Sequence, residues 1–228
     1  MISFKRFFAA ALLVVLAVPA ARAADLTAQR ELLSRAQFTL ERFEASPKMA
    51  DARALARNAK GIMIFPSLIK GALFVGGEGG NGVLLARRAD GSWSYPAFYS
   101  LASLSFGFQV GGQSSEALLI IMSDKALRAL MEDQAKLGGD VSAAAGPVGT
   151  GVEASTTTSL GTDVYTYSNT KGLFVGASLE GAVVARREDF NAQVYNGEVD
   201  PRRIVLEETA QNPIADPLRE QLTRYSSE

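Results

Sequence analysis

Apolar residues near the start of the chain recur at the spacing of an α-helix. Five of them share one face of this helix: Leu26, Leu33, Ala36, Leu40 and Phe43. Their separations of seven, three, four and three residues are typical of an amphipathic helix. Pro47 ends the pattern, because proline disrupts a helical interior, and a second short helix is predicted from Met49 to Ala59. The N-terminal helices are therefore expected within residues 26–60.

Between residues 62 and 187 the pattern changes to short apolar or alternating runs, which glycine and other turn residues separate. Eight runs are predicted as strands: Ile62–Phe65, Ala72–Val75, Val83–Arg87, Leu104–Val110, Ala117–Met122, Val164–Tyr167, Leu173–Val175 and Ala182–Arg186. Their close spacing predicts antiparallel hairpins. One helix interrupts them over residues 124–137, where Ser123 or Asp124 provides the N-cap and Gly138-Gly139 ends the helix.

The closing segment, residues 188–228, is predicted to end in a helix. Asp216 precedes Pro217, and proline is favoured at the first helical position. Three residues of this helix form one apolar stripe: Leu218, Leu222 and Tyr225. No shift in composition divides residues 24–228. The predicted fold class is therefore a single α+β domain, in which an antiparallel, glycine-rich β-sheet (barrel-like or sandwich) is flanked by helices.

Residues 1–23 have the layout of a secretory signal peptide. Lys5 and Arg6 precede an apolar run, Phe7–Val18, which is shorter than the roughly 20 residues of a membrane-spanning helix. A small-x-small cleavage sequence ends at Ala23. We therefore expect a mature chain in a bacterial periplasm, either free or peripheral to the outer or inner membrane.

The composition excludes several classes of chemistry. The chain has 23 Lys and Arg against 24 Asp and Glu, so nothing suggests bulk binding of nucleic acid. It contains no cysteine, so no disulfide stabilises it. It also contains no histidine, the usual general base and the commonest metal ligand. We therefore expect a protein that is not an enzyme and that has no cofactor and no metal site.

Two near-copies of one motif occur in the strand-rich part of the chain. The first runs from Lys70 through an apolar run and glycines to Arg87-Arg88, and the second runs in the same way from Lys171 to Arg186-Arg187. They predict two related hairpins with positive charge at equivalent ends. Arginine and lysine both bind phosphate, and ordinary solvated strand ends are the alternative. The candidate phosphate-binding residues are Lys60, Lys70, Arg87, Arg88, Lys171, Arg186 and Arg187.

Three further motifs have an ordinary structural explanation. Residues 77–82 contain G-x-G-x-x-G, but they lead into a strand and not into the helix that a dinucleotide site requires. Ser67 and Lys70 form S-x-x-K, the nucleophile motif of penicillin-binding acyltransferases, but Pro66 and the strand-like residues that follow do not favour the helical turn that this chemistry needs. Residues 143–151 are small enough to pack against another backbone or to contact an acyl chain.

Six motifs occur along the chain in a fixed order. They are Ala59-Lys60-Gly61-Ile62-Met63-Ile64-Phe65-Pro66, the glycine run of residues 76–82, Gly91-Ser92-Trp93-Ser94-Tyr95-Pro96, Gly107-Phe108-Gln109-Val110-Gly111, Gly146-Pro147-Val148-Gly149 and Tyr165-Thr166-Tyr167-Ser168-Asn169-Thr170-Lys171-Gly172-Leu173-Phe174. Together they resemble the SYLF lipid-binding domain, over about residues 49–197. The resemblance implies a non-enzymatic domain that binds anionic phospholipid, so the seven basic residues become candidate lipid-binding residues.

In a periplasm, the resemblance implies phosphatidylglycerol, cardiolipin or a lipopolysaccharide phosphate as the partner, bound at a membrane surface. Partial insertion of apolar side chains is expected to add to the affinity. Candidates for this apolar surface are Phe98, Tyr99, Phe106 and Phe108, and at least half of them are expected in the protein core instead. Other functions left open are a small outer-membrane β-barrel, an envelope structural protein and a serine hydrolase that uses the S-x-x-K motif. The oligomeric state is open.

Overall fold

The computed structural model describes residues 25–72, 75–106, 111–148, 162–207 and 209–227. The helices of this part are α1 (Thr27–Ala45), α2 (Ala50–Ala56), α3 (Asp124–Leu130), α4 (Glu188–Val194), α5 (Pro201–Val205) and α6 (Asp216–Tyr225). Its strands are β1 (Gly61–Ala72), β2 (Val75–Ala86), β3 (Ala97–Phe106), β4 (Gly111–Ile121), β5 (Gln134–Lys136), β6 (Ala143–Ala145), β7 (Val164–Thr170), β8 (Leu173–Gly176) and β9 (Val183–Arg186).

All nine strands belong to one curled sheet, in the order β5-β9-β3-β2-β1-β4-β7-β6, and β8 pairs with β7. Every pair is antiparallel except β6 and β7, which are parallel. The predicted α+β class and the antiparallel, glycine-rich sheet are therefore confirmed. The strands form one sheet instead of the two stacked sheets of a sandwich.

The long strands divide into two halves that differ in burial. Residues 61–65 of β1 are buried without interruption, and residues 82–86 of β2 and 117–121 of β4 are buried in the same way. Because successive strand residues point to opposite faces, this half of the sheet is covered on both faces. We call it the core half; it also includes residues 97–101 of β3 and 164–167 of β7.

The other half of the same strands, the tip half, is only partly covered. It comprises residues 68–72, 75–80, 102–106 and 111–115, together with the β7–β8 turn and β8, residues 170–176. Ile69, Gly71, Ala102, Gln113 and Ser114 are exposed here. Glycine, serine and alanine supply most of the tip half, so it has few large side chains to bury.

Helix α1 packs on β1 and β2 and also against α6. Its buried face includes four of the five residues that the helical pattern placed there: Leu33, Ala36, Leu40 and Phe43. Residues on the far side of α1, such as Arg30 and Ser34, are exposed. The N-terminal amphipathic helix is therefore confirmed.

The helix predicted over residues 124–137 is shorter in the structure. Ser123 caps it as predicted, because its hydroxyl accepts a hydrogen bond from the Ala126 backbone N–H at 3.1 Å. The helix ends at Leu130, and residues 134–136 form β5 against β9. The two-residue spacing of the buried Ala135 and Leu137 fits a strand, which the helical interpretation overlooked.

The second copy of the repeated motif does not form a hairpin. In the first copy, residues 70–72 of β1 pair with residues 76–78 of β2, but its second apolar run, residues 83–86, pairs with residues 61–64, which precede the copy. In the second copy β8 pairs with β7 while β9 pairs with β3 and β5. The prediction of two related hairpins is therefore wrong for the second copy. Similar strings share a preference for extended backbone, whereas the partner of each strand depends on the rest of the sheet.

Candidate functional site

Helix α1 crosses the strands at the boundary between the two halves. Four polar residues lie near this boundary: Glu116 on β4, which pairs with Asn169 on β7, and Ser67 on β1 and Asn81 on β2, where the pairing register of β1 shifts. We call these four residues the crossing row. Beyond this row, the tip half extends past the helix.

Glu116 joins the middle of α1 to the sheet. Its carboxylate accepts hydrogen bonds from Thr39 Oγ1 at 2.9 Å, from Arg42 Nε at 3.0 Å and from Asn169 Nδ2 at 2.6 Å. The Glu116 side chain is only 13% exposed, so these bonds satisfy a largely buried charge. The hydrogen bond to Glu116 also raises the pKa of Arg42. One step further along α1, the rings of Phe43 and Phe174 meet edge to face, with centroids 5.1 Å apart.

Arg187 organises the β2 end of the crossing row. Its Nη1 donates to Asn81 Oδ1 at 2.7 Å, and its Nε and Nη2 donate to the two carboxylate oxygens of Asp189 at 2.8 and 2.7 Å. Its guanidinium carbon lies 4.0 Å from the centre of the Phe190 ring. The paired hydrogen bonds raise the pKa of Arg187 and lower the pKa of Asp189.

The tip half combines exposed apolar side chains with two lysines. Ile69 is 65% exposed, Leu173 is 57% exposed and Val175 is 41% exposed. Lys70 lies on β1 and Lys171 occupies the β7–β8 turn, where its φ of 50° is left-handed. Strand β4 lies between β1 and β7, so two strand spacings, about 10 Å, separate the strand of Lys70 from the strand that ends just before Lys171. This end of the molecule therefore presents hydrocarbon and positive charge together.

One carboxylate accompanies these lysines. Glu78 on β2 is the cross-strand partner of Lys70 and accepts a hydrogen bond from Ser115 Oγ at 3.2 Å. Among the described residues of the tip half, Lys70, Lys171 and Glu78 are the charged ones. The net formal charge of this described surface is therefore positive by one.

The seven predicted basic residues fall into three separate groups. Lys60, Arg87 and Arg88 lie at the core end of β1 and β2, while Arg186 and Arg187 lie at the end of β9. Lys70 and Lys171 share the tip end. Arg186 aligns with Tyr99 on β3, and Tyr99 aligns with Gly82 on β2, which is five residues before Arg87. The two arginine pairs are therefore not at equivalent strand ends, contrary to the prediction.

Several of these basic residues have internal structural partners. Arg87 donates to the backbone oxygens of Ala56, Ala59 and Gly91, and burial lowers its pKa. Arg186 forms ion pairs with Asp133 at 3.0 Å and Glu188 at 2.7 Å. Lys60 lies 3.9 Å from Asp124 in an exposed pair. Lys70 and Lys171 differ from these residues, because neither forms an ion pair with any described residue.

The S-x-x-K residues do not form a catalytic pair. Ser67 and Lys70 both lie on β1, where Ser67 Oγ is 3.2 Å from Ser114 Oγ, and Lys70 faces the same side as Glu78 and Ser115. The two side chains point to opposite faces of the sheet, so the lysine amine cannot take the serine proton. Residues 77–82 lie within β2 and do not lead into a helix, so the G-x-G-x-x-G string lacks the context of a dinucleotide site.

The small segment at residues 143–151 is described only as far as Val148. A Cβ at Gly146 would lie 2.1 Å from the Tyr167 ring, so this glycine allows close packing against β7. Close packing against β7 therefore explains the small residue at Gly146, as the packing interpretation of this segment predicted. Residues 149–151 lie outside the described residues.

Two of the four aromatic candidates for an apolar surface lie in the core, as expected for at least half of them. Phe98 and Tyr99 are fully buried on β3, and the side chains of Phe106 and Phe108 lie outside the described structure. The exposed large apolar residues of the described structure are Phe38 on α1, Leu206, and three aliphatic residues at the tip, Ile69, Leu173 and Val175. Of the tip residues, Leu173 and Val175 lie in a predicted strand and Ile69 lies outside the predicted strands. The Lys171-Gly172 turn beside Leu173 was a usable signal, because residues next to a tight turn are often accessible.

None of the described helices has the length and apolar character that a bilayer-spanning segment requires.

Comparisons with known proteins agree with the motif resemblance. The family model for Ysc84, described as "Las17-binding protein actin regulator", matches residues 102–225. An SH3 domain-containing protein of Schizosaccharomyces pombe is 38% identical over 164 residues, which are 71% of this chain and 38% of that protein. Protein YSC84 of Saccharomyces cerevisiae is 37% identical over 165 residues, 71% of this chain and 35% of that protein.

A human relative, SH3 domain-containing YSC84-like protein 1, is 33% identical over 180 residues, which are 78% of this chain and 52% of that protein. The chain thus spans between about a third and about half of the length of these relatives. These names describe SH3 domain-containing proteins and a Las17-binding actin regulator, and none of them is the name of an enzyme.

Proposed function

The chain belongs to the Ysc84 family, whose domain is also called SYLF, and we propose that it is a non-enzymatic protein that binds anionic phospholipid through the tip half of its sheet. The observation that carries this proposal is the combination of exposed Ile69, Leu173 and Val175 with Lys70 and Lys171 at one end of the molecule. Peripheral membrane proteins use this combination, because apolar side chains enter the acyl boundary while cations meet the anionic head groups.

The expected contributions of these side chains to the free energy of membrane binding can be ranked by magnitude. Burying an exposed aliphatic side chain contributes about 1.5–3 kcal/mol when it is complete, and partial burial contributes less. Each lysine near an anionic surface contributes about 1 kcal/mol, and salt screens this term over roughly 8–10 Å. The negative charge of Glu78 reduces this electrostatic attraction to an anionic surface. We therefore expect apolar insertion to dominate the affinity and the lysines to select anionic surfaces.

The location of this activity is also part of the proposal. The layout of residues 1–23 is that of a secretory signal peptide. On this basis the bound surface is a periplasmic face, and its anionic groups are those of phosphatidylglycerol, cardiolipin or lipopolysaccharide phosphate.

Flotation of the mature protein with phosphatidylglycerol-containing and pure phosphatidylcholine vesicles tests the proposal. We expect binding to the anionic vesicles, with weaker binding at higher salt. Replacing Leu173 and Val175 by Gln together should reduce binding by tenfold or more, because both side chains lose their apolar contact. Leu206→Gln is the matched control, since Leu206 is 44% exposed but lies outside the tip half.

A second pair of variants separates charge from hydrocarbon. Replacing Lys70 and Lys171 by Gln should reduce binding to anionic vesicles by up to roughly thirtyfold, from about 1 kcal/mol per lysine. The control replaces the exposed Lys125 and Lys136 by Gln, which changes the net charge equally. Equal flotation of wild type and both tip variants would refute the proposal. The arginines are less suitable for this test, because Arg87 and Arg187 hold the fold together.

A further inference from the structure

A cleft with a volume of about 320 Å³ lies between α1 and the sheet, where the crossing row meets the tip half. Its walls are largely apolar. They are formed by Ala28 and Leu32 of α1, Pro66 and Ile69 of β1 and Phe190 of α4. A cleft with these walls favours hydrocarbon over a polar ligand.

The floor of the cleft is mainly backbone. Gly79 and Gly80 of β2 form it, together with Ser67 and Asn81 from the crossing row. A Cβ at Gly80 would lie 1.9 Å from the Ser67 carbonyl oxygen, so β2 can approach β1 here only without a side chain. The glycines thus allow β1 and β2 to approach closely here and add no side chain to the floor of the cleft.

One end of the cleft carries a hydrogen-bond donor next to a cation. Arg187 can only donate hydrogen bonds, so its 2.7 Å contact assigns the Asn81 acceptor oxygen to the guanidinium. This leaves the Asn81 amide NH₂ as a donor, and no described residue accepts from it. Arg187 itself lies against Phe190, which is part of the cleft wall. An anionic group beside Asn81 would therefore meet a neutral donor, behind which lies the guanidinium of Arg187 with its paired Asp189 carboxylate.

The α1 side of the cleft carries an exposed ion pair. Glu31 and Arg35 are one helical turn apart on α1, their side chains are 2.6 Å apart, and both are more than half exposed. Such a pair contributes little to stability, about 0–1 kcal/mol. It gives the cleft a charged border and leaves its interior apolar.

We propose that this cleft binds a single acyl chain whose anionic head lies beside Asn81 and Arg187. A volume of about 320 Å³ accommodates about ten groups at roughly 30 Å³ each, which corresponds to a chain of about ten carbons. The inference rests on the proposed function only for the source of the acyl chain. This source is either a membrane phospholipid or a free fatty acid. The site shares Ile69 with the tip half but does not include the exposed tip residues Leu173 and Val175.

Titration calorimetry with decanoate, below the concentration at which it forms micelles, tests the cleft without any membrane. Wild-type protein should bind decanoate at one site. Shortening the chain to hexanoate should weaken binding by roughly fourfold for each methylene lost. Decanol should bind at least tenfold more weakly than decanoate, because it lacks the anionic head. Equal affinity for decanol would refute the role of Asn81 and Arg187.

Ala28→Phe fills the cleft from an exposed position of α1 and should reduce decanoate affinity by at least tenfold. Ser34→Phe is the matched control, because Ser34 is also exposed on α1 but does not line the cleft. Thermal unfolding of both variants checks that the fold is retained. If Ala28→Phe is folded and binds decanoate like wild type, the cleft is not the site.

The two proposals fail in different ways. The Leu173→Gln and Val175→Gln double variant should lose vesicle binding but bind decanoate normally. Wild-type protein that floats with vesicles but does not bind decanoate refutes the cleft alone. Wild-type protein that binds decanoate but no vesicle refutes the tip surface as the membrane site. If Ala28→Phe abolishes decanoate binding and also weakens flotation with vesicles, the membrane is a source of the bound acyl chain.

Discussion

The two halves of β1 have the same strand partners but opposite relations to solvent. Its core half is buried on both faces at residues 61–65, whereas Ile69 is 65% exposed four residues later. Helices cover the core half, and the tip half extends past α1. The difference indicates that the core half supplies the stability of the sheet, while the tip half is held in extended form mainly by its backbone hydrogen bonds.

The same division separates the charged residues by role. In and around the core half, arginines form hydrogen bonds and ion pairs that join elements, such as Arg87 to the end of α2 and Arg42 to Glu116. At the tip, Lys70 and Lys171 have no ion-pair partner among the described residues. Charges that stabilise the fold and charges available to a ligand therefore occupy different places.

The largest expected difference is between two isoleucines of one strand. Ile64→Ala should reduce the free energy of unfolding by about 2–5 kcal/mol, because Ile64 is fully buried and leaves a cavity. Ile69→Ala should change it by less than about 0.5 kcal/mol, as expected for an exposed position. Urea unfolding followed by circular dichroism measures both. Similar losses for the two variants would show that the tip half contributes to stability as the core half does.

A smaller contrast is expected between two tip glycines. Gly80→Ala should cost about 1–3 kcal/mol, because its Cβ would lie 1.9 Å from the Ser67 oxygen and the strands must separate. Gly71→Ala is the matched control, since its Cβ would have no neighbour within 4 Å. Thermal unfolding compares the two. A stable Gly80→Ala variant would contradict the close approach of β2 to β1.

The attachment of α1 can be measured at the crossing row. Glu116→Ala should cost about 1–3 kcal/mol, because Asn169 and Thr39 lose their acceptor in a largely buried place. Glu31→Ala should cost at most about 1 kcal/mol, because its ion pair with Arg35 is exposed. Hydrogen exchange of α1 adds a local measure, and faster exchange is expected only for Glu116→Ala. Unchanged exchange in that variant would show that α1 does not depend on Glu116.

The smallest expected effect depends on pH. Arg187 lowers the pKa of Asp189, so this carboxylate stabilises the fold above about pH 4, and the contribution is lost as the pH falls through the lowered folded-state value. Because Asp189 is more than half exposed, Asp189→Asn should cost less than about 1 kcal/mol at pH 7. Unfolding curves of the variant and wild type should converge as the pH falls below 4. A constant difference at all pH values would contradict this origin.

Local patterns in the sequence determined several of the helices and strands of this protein. The amphipathic period of α1, the Ser123 cap of α3 and the glycine-separated apolar runs all have short-range causes, because each depends on residues within a few positions of one another. The absence of histidine and cysteine equally restricted the chemistry without any structure. The motif order was sufficient to indicate the family.

Only the tertiary structure decided which strands pair and which side chains remain exposed. Residues 183–186 resemble the strand after Lys70, but they pair with β3 and β5, because strand partners are separated by long stretches of chain. The same cause separates the basic residues: Arg187 is held by Asn81, 106 positions away, and Lys171 remains open at the tip. Burial and pairing are properties of the whole packed sheet, so a linear pattern that identifies a strand does not specify its neighbours.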